Sequence, residues 1–189
     1  MISKLGNGKT IEKLVNSLEQ DSEDAEANAA VVVLLKKAGH DFQVLFVKRA
    51  ESPKDTWSGQ IALPGGKRDP KDFEIKTTAV RETLEETGID LLMGCRFLGA
   101  LEHLRSVQKP EVKIVPFVVL QEREQEIRLN EELADYFWVP LKELAEQEKT
   151  VNVENMEVPA YKVNNQMIWG LTYNIINNLL AKMSTNTEG

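Results

Sequence analysis

The strongest constraint on this chain is the run Arg81-Glu82-Thr83-Leu84-Glu85-Glu86-Thr87-Gly88-Ile89, which follows a turn at Gly65-Gly66. Glu82, Glu85 and Glu86 stand three and four residues apart, so a helix there carries all three carboxylates on one face. Like-charged neighbours each destabilise a helix by roughly 0.2–0.5 kcal/mol unless something neutralises them. A solvated face ordinarily interleaves both signs. The cluster therefore predicts a missing partner, and a hard divalent cation suits an all-oxygen set. The competing reading is an ordinary acidic solvent face with an Arg81–Glu85 pair. The predicted helix spans about Glu74 to Thr87 and stops at Gly88. Gly65 and Gly66 let the backbone turn and approach closely without a side-chain penalty.

Around that segment the apolar pattern alternates between strands and helices. Ile11, Leu14, Val15 and Leu18 form a helical stripe over residues 9–20, and the acidic turn Asp21-Ser22-Glu23-Asp24 follows. Ala29 to Leu35 and Phe42 to Lys48 read as strands of a hairpin around Gly39-His40. Further strands are predicted at Arg96–His103, Val112–Leu120 and Asp135–Val139, with Val158–Val163 as a late edge strand. Pro140 opens a short helix, and Gly170–Met183 carries the apolar stripe of a closing one. This order predicts an α/β fold, an α/β/α sandwich around a mixed β-sheet. Residues 1–28 are expected to form an N-terminal helix and acidic turn, residues 29–183 the main domain, and residues 184–189 a flexible tail.

Composition narrows the function classes. A chain of 189 residues is most simply one domain, long enough to bury roughly 70% of its unfolded surface. A net charge of −7 disfavours general binding to nucleic acid or to anionic membrane. No apolar run approaches the ~20 residues of a spanning helix. The amino terminus lacks an apolar core and cleavage site, and the single cysteine, Cys95, suits a reducing compartment; both predict a cytoplasmic protein.

The block Arg81–Ile89, with Gly66 ahead of it, resembles the signature of the Nudix hydrolases: G, five residues, E, seven residues, then R-E-U-x-E-E-x-G-U, U being bulky and apolar. Thr83 departs from U. Five residues after Gly66 the signature glutamate is replaced by Asp72, and eight residues rather than seven then precede Arg81. The extra residue is placed in the loop, and the outer carboxylate is assigned to Asp72 or Glu74 without a choice between them. The resemblance implies magnesium or manganese as cofactor, with Glu82 and Glu86 as inner ligands, Glu85 on a second or third ion, and a carbonyl oxygen from Gly65. Arg81 would orient the carboxylates. It also implies hydrolysis of a diphosphate linkage by activated water, and a possible homodimer. A ligand sensor that keeps the fold but has lost catalysis is the contrasting class; such modules typically lose box carboxylates, and here all three are present.

Gly59-Gln60-Ile61-Ala62-Leu63-Pro64-Gly65-Gly66-Lys67 is similar to the corresponding segment of the coenzyme A diphosphatase branch, which has Phe in place of Leu63. Phe137-Trp138-Val139-Pro140-Leu141 and Ile168-Trp169-Gly170-Leu171-Thr172 resemble that branch too, whereas Lys48–Ser52 and Asp55–Ser58 match only partly. Coenzyme A or its thioesters are the implied small-molecule substrate, with NADH, ADP-ribose and nucleoside triphosphates as alternatives. Glu132 stands where related enzymes place a carboxylate that reaches the metals or acts as base. Glu82, Glu85 and Glu132 are all candidates for that base. Arg49, Lys67, Gly66 and Trp57 are the candidate substrate contacts, the two cations as phosphate donors and the indole as a stacking surface.

Overall fold

The run from Ala29 to Leu35 is apolar at every position, which predicts a strand covered on both sides, since alternate side chains point to opposite faces. The computed structural model, which describes residues 7–20, 26–53, 57–105, 110–153 and 155–184, shows that arrangement. The expected acidic turn Asp21–Asp24, the pair Asp55-Thr56 and tail residues 185–189 lie outside the described residues. Strands β1 (Ala29–Ala38) and β2 (Asp41–Arg49) form the hairpin, with Gly39 at φ 61° supplying its left-handed turn residue. Val33 and Leu35 enter one core cluster, Ala30, Val32 and Leu34 the other.

That hairpin opens. β1 and β2 pair only where Leu35–Ala38 meets Asp41–Val44. The far edge of β1 is taken in parallel by β7 (Lys113–Gln121), and the far edge of β2 by β8 (Leu133–Pro140). The gap between the diverging strands therefore receives the glycine segment. There β3 (Ile61–Ala62) pairs with Val47–Lys48, and β4 (Gly65–Lys67) pairs with Ala29–Val31. Strands β5 (Cys95–Ala100) and β6 (Leu104–Arg105) add antiparallel to β7, completing a mixed eight-stranded sheet.

Helix α2 (Ile75–Thr87) covers one face, setting Ile75 and Ala79 against Val32, Leu34, Leu45, Val115 and Val119. The opposite face carries α1 (Asn7–Ser17), α3 (Leu141–Glu146) and α4 (Gly170–Ser184), through Ile11, Leu14, Leu18, Leu141, Leu144, Ile176 and Leu179. Helix α1 ends earlier than the stripe predicts because the Gln20 amide donates to the carbonyls of Val15, Leu18 and Leu98, capping the helix against β5. The predicted α/β fold with helices on both sides of a mixed sheet stands.

One predicted element is corrected. Val158–Val163 belongs to β10 (Met156–Val163), the central strand of a separate three-stranded sheet between β9 (Glu148–Val153) and β11 (Gln166–Trp169). It is not an edge strand. Its neighbour β9 is mostly polar and β11 is only four residues long, so alternation gives little signal; the better clue was Asn155, Asn164 and Asn165, all at positive φ in the two hairpin turns.

Thr83, the residue that departs from the apolar signature position, is fully buried on α2, and its hydroxyl has no hydrogen-bond partner among the described residues. Leaving a buried hydroxyl unpaired costs roughly 1–3 kcal/mol, whereas removing it while keeping the shape recovers part of that. Thr83→Val is expected to stabilise the fold by about 1 kcal/mol. A chemical-denaturation midpoint that rises at unchanged slope would show it; a fall would mean the hydroxyl is satisfied.

Candidate active site

The opening of the hairpin brings β4 directly onto α2. The Gly65 N–H donates to Glu86 Oε2 at 2.8 Å, so the glycine turn and the last turn of the acidic helix are bonded. A side chain at either glycine would meet a near neighbour, backbone at Gly65 and the end of a flexible side chain at Gly66. Gly65 has φ 140°, and a Cβ there would lie 2.2 Å from the Ala30 carbonyl oxygen. A Cβ at Gly66 would lie 2.6 Å from the Glu82 carboxylate, which rests over that residue. β4 is flat enough for the acids to approach because it lacks side chains there.

Arg81 is the hub of the cluster. Its Nε and Nη2 donate to the two oxygens of Asp72, at 3.1 and 2.8 Å, in a bidentate pair. Its Nη1 reaches Glu82 Oε1 at 2.8 Å and Glu85 Oε2 at 3.1 Å, while Nη2 also donates to the Lys67 carbonyl. The partner missing from the sequence pattern is thus in part Arg81 itself, which serves Glu82 and Glu85. Glu86 is different. It is 4% exposed, and among the described residues it receives only the Gly65 hydrogen bond at its carboxylate.

The electrostatics follow that division. Burial pushes the Glu86 carboxyl up to about 7, with Glu82 and Glu132 adding repulsion and the Gly65 N–H and Arg49 opposing. Glu82 is also raised, first by burial and then by the charges of Glu85 and Glu132, against the pull of Arg81. The charges of Arg49, at the end of β2, and Glu132, in the turn before β8, therefore act on the acids. The two segments are joined where the Ala50 N–H donates to the Glu132 carbonyl at 2.8 Å. Lys67 is brought in only through its main chain; its side chain is exposed and has no ion pair among the described residues. Trp57 is half-buried at the head of the turn 57–60, whose Gln60 carbonyl accepts the Arg49 N–H.

Among the described residues no three His, Cys, Asp or Glu side chains are gathered into a cage for an ion. Glu82 and Glu85 turn toward Arg81, and Glu86 turns toward Gly65. The donor chemistry nevertheless fits a hard divalent cation. The ligands are all oxygen, and Glu86 combines near-complete burial with the negative charges of Glu82 and Glu132, against the positive charge of Arg49.

The family model of the NUDIX domain matches residues 25–158. The chain belongs to the Nudix family. A Nudix hydrolase of Yersinia pestis, NudL, is 33% identical over 148 residues, which cover 75% of this chain and 72% of NudL. A Schizosaccharomyces pombe protein is 39% identical over 107 residues, which are 53% of this chain and 32% of that protein, so the chain spans less than a third of it. Among solved structures, the Nudix hydrolase RenU of M. smegmatis aligns with a TM-score of 0.52 at 22% identity, covering 64% of this chain and 74% of RenU. A C. elegans Ap4A hydrolase binary complex aligns with a TM-score of 0.51 at 21% identity, covering 60% and 80%. At those identities the likeness is one of fold. The Nudix chain is accordingly a pyrophosphohydrolase, and Nudix hydrolases generally use divalent metal ions. No helix among its described residues is long and apolar enough to cross a membrane.

Of the two residues weighed for the outer carboxylate, Asp72 is the one bonded to Arg81. Asp72 is buried, grips Arg81, and accepts further bonds from the Asp69 N–H and the Thr78 hydroxyl. Glu74 only precedes α2, with no side-chain cap bond.

Asp72 supports a pH prediction. The Arg81 guanidinium holds its carboxyl down at about 2, against an ordinary 3.8. A depressed folded value contributes stability that is fully present above the unfolded value and is lost as pH falls through the folded one. At about 1.4 kcal/mol per unit this is roughly 2 kcal/mol. Asp72→Asn is expected to cost about that much at neutral pH, with the gap to wild type closing between pH 4 and pH 2. Denaturant titrations of both proteins across that range check it; a gap independent of pH would reject the assignment.

Proposed function

We propose that this chain hydrolyses the diphosphate linkage of coenzyme A or an acyl-coenzyme A. The products would be 4′-phosphopantetheine, or its acyl form, and adenosine 3′,5′-bisphosphate. The observation that carries the hydrolase part is the buried Glu86 carboxylate bonded to the glycine turn, with Glu82, Arg49 and Glu132 acting on it. The substrate part is supported by the likeness of Gly59–Lys67 to the coenzyme A diphosphatase branch.

Glu82, Glu86 and the Gly65 carbonyl would hold magnesium or manganese, with Glu85 toward a further ion. A bound divalent cation neutralises phosphate oxygens and lowers the pKa of its water. The remaining work belongs to the side chains. Arg81 orients Glu82 and Glu85 through its Nη1, while Asp72 fixes the plane of the Arg81 guanidinium. Arg49, at the end of β2 and with its charge acting on Glu86, is the donor for substrate phosphate oxygens. Glu132 accepts the proton of the attacking water as general base, its like charge repelling those of Glu82 and Glu86.

The test is to incubate the protein with magnesium or manganese and a panel of coenzyme A, acetyl-coenzyme A, NADH, ADP-ribose and nucleoside triphosphates, separating products by mass. Phosphopantetheine and adenosine bisphosphate as the dominant products are the expected result. Faster cleavage of another member overturns the substrate assignment, and cleavage of none overturns the hydrolase assignment.

A further inference from the structure

Helix α2 ends beside an extended segment that does two jobs. The last carbonyls of a helix lack intrahelical partners. Here the Arg128 N–H donates to the Thr87 carbonyl at 2.8 Å, and the Asn130 N–H donates to the Glu86 carbonyl at 3.1 Å. The chain then turns at once. The Leu133 N–H returns to the Asn130 carbonyl at 3.3 Å, which closes a four-residue turn with Glu131 and Glu132 at its centre. Inside it the Asn130 side-chain oxygen accepts the Glu132 N–H at 3.0 Å. Asn is favoured at the first position of such turns because its side chain can take that second amide.

We infer that Asn130 is the positioning residue that sets Glu132 against the acid cluster. Its main chain is pinned to the residue that carries the buried carboxylate, and its side chain fixes the backbone of Glu132 two positions later. One residue therefore holds the distance between the helix acids and the turn acid. The Ala50 N–H bond to the Glu132 carbonyl fixes the other side of the same peptide segment, and buried Leu133 anchors its exit. Nothing else among the described hydrogen bonds ties the Glu132 amide. The inference rests on the reading of Glu132 as general base.

Asn130→Ala removes the acceptor and leaves the main-chain pins. It is expected to lower kcat about tenfold with KM little changed, the scale of losing an outer-shell support. Asn130→Ser, which keeps an oxygen able to accept the same amide, is expected to recover most of that loss. In a Glu132→Gln background, Asn130→Ala is expected to cause no further fall. Independently of activity, amide exchange at Glu132 is expected to quicken about tenfold in Asn130→Ala. Equal fractional losses in both backgrounds, or unchanged exchange at Glu132, would overturn the inference. Normal turnover by Glu132→Gln overturns the general-base reading and the catalytic half of the inference with it. A wild-type chain inert on the whole substrate panel overturns the hydrolase reading, while the exchange measurement still decides the clamp.

Discussion

Glu86→Gln is expected to lower turnover about a thousandfold while the protein stays folded, the scale of removing one preorganised electrostatic group from an active site. The amide keeps the size of the carboxyl and retains an oxygen for the Gly65 N–H. What it loses is charge at the most enclosed position of the cluster. Burial already disfavours that charge, which is why the carboxyl is pushed up to about 7. A raised carboxyl value means that the metal-free fold gives up stability as pH rises from 4.5 toward 7 through this group. Glu86→Gln should remove that slope, leaving the variant at least as stable as wild type near neutrality without metal. Adding manganese should raise the melting temperature of wild type and leave that of the variant nearly unmoved. Full turnover by the variant, or an equal manganese shift, would withdraw Glu86 from the metal site.

The acidic helix was legible because its meaning lies in spacing. Glu82, Glu85 and Glu86 need only a helical period to share a face, and Gly88 ends that helix as its pattern predicts, at φ 73°. The two-sided core strand was legible for a similar reason, since burial on both faces leaves no polar alternation. Other features depend on contacts between distant segments. Arg81 is next to Glu82 in sequence, but its firmest partner is Asp72, held by a loop whose register departs from the signature. The sequence offered Asp72 and Glu74 equally, and what separates them is the set of bonds that Asp72 accepts from Arg81, the Asp69 N–H and the Thr78 hydroxyl. The splay of β1 from β2, which admits the glycine segment, has no local signal in either strand. Asn130 carried a signal that went unused: an Asn two residues before a candidate catalytic acid favours a turn that would present it. The β9–β11 sheet was half-hidden because Glu148–Val153 is mostly polar and exposed.

The paired glycines should separate fold from function when each is replaced by alanine. At Gly65 the backbone sits at φ 140°, and the new Cβ would meet the Ala30 carbonyl oxygen at 2.2 Å and the Val31 Cα at 2.6 Å. Those atoms belong to the central strand and cannot yield without breaking the pairing of β4 with β1. Gly65→Ala is expected to cost roughly 4 kcal/mol or more, the range reached by strain at special backbone positions, and to leave much of the chain unfolded at room temperature. At Gly66 the obstacle is the far end of the Glu82 side chain, at 2.6 to 2.8 Å. That end can rotate away, so Gly66→Ala should stay folded within about 1 kcal/mol of wild type. Glu82 would then be displaced from the turn, and turnover should fall about 10- to 100-fold. Far-ultraviolet circular dichroism through a urea titration, read beside product formation, distinguishes the two losses. A Gly65→Ala protein of wild-type stability would contradict the close approach of β4 to β1. A fully active Gly66→Ala protein would show that Glu82 does not need its seat over the glycine, and the helix acids would have to act from another arrangement.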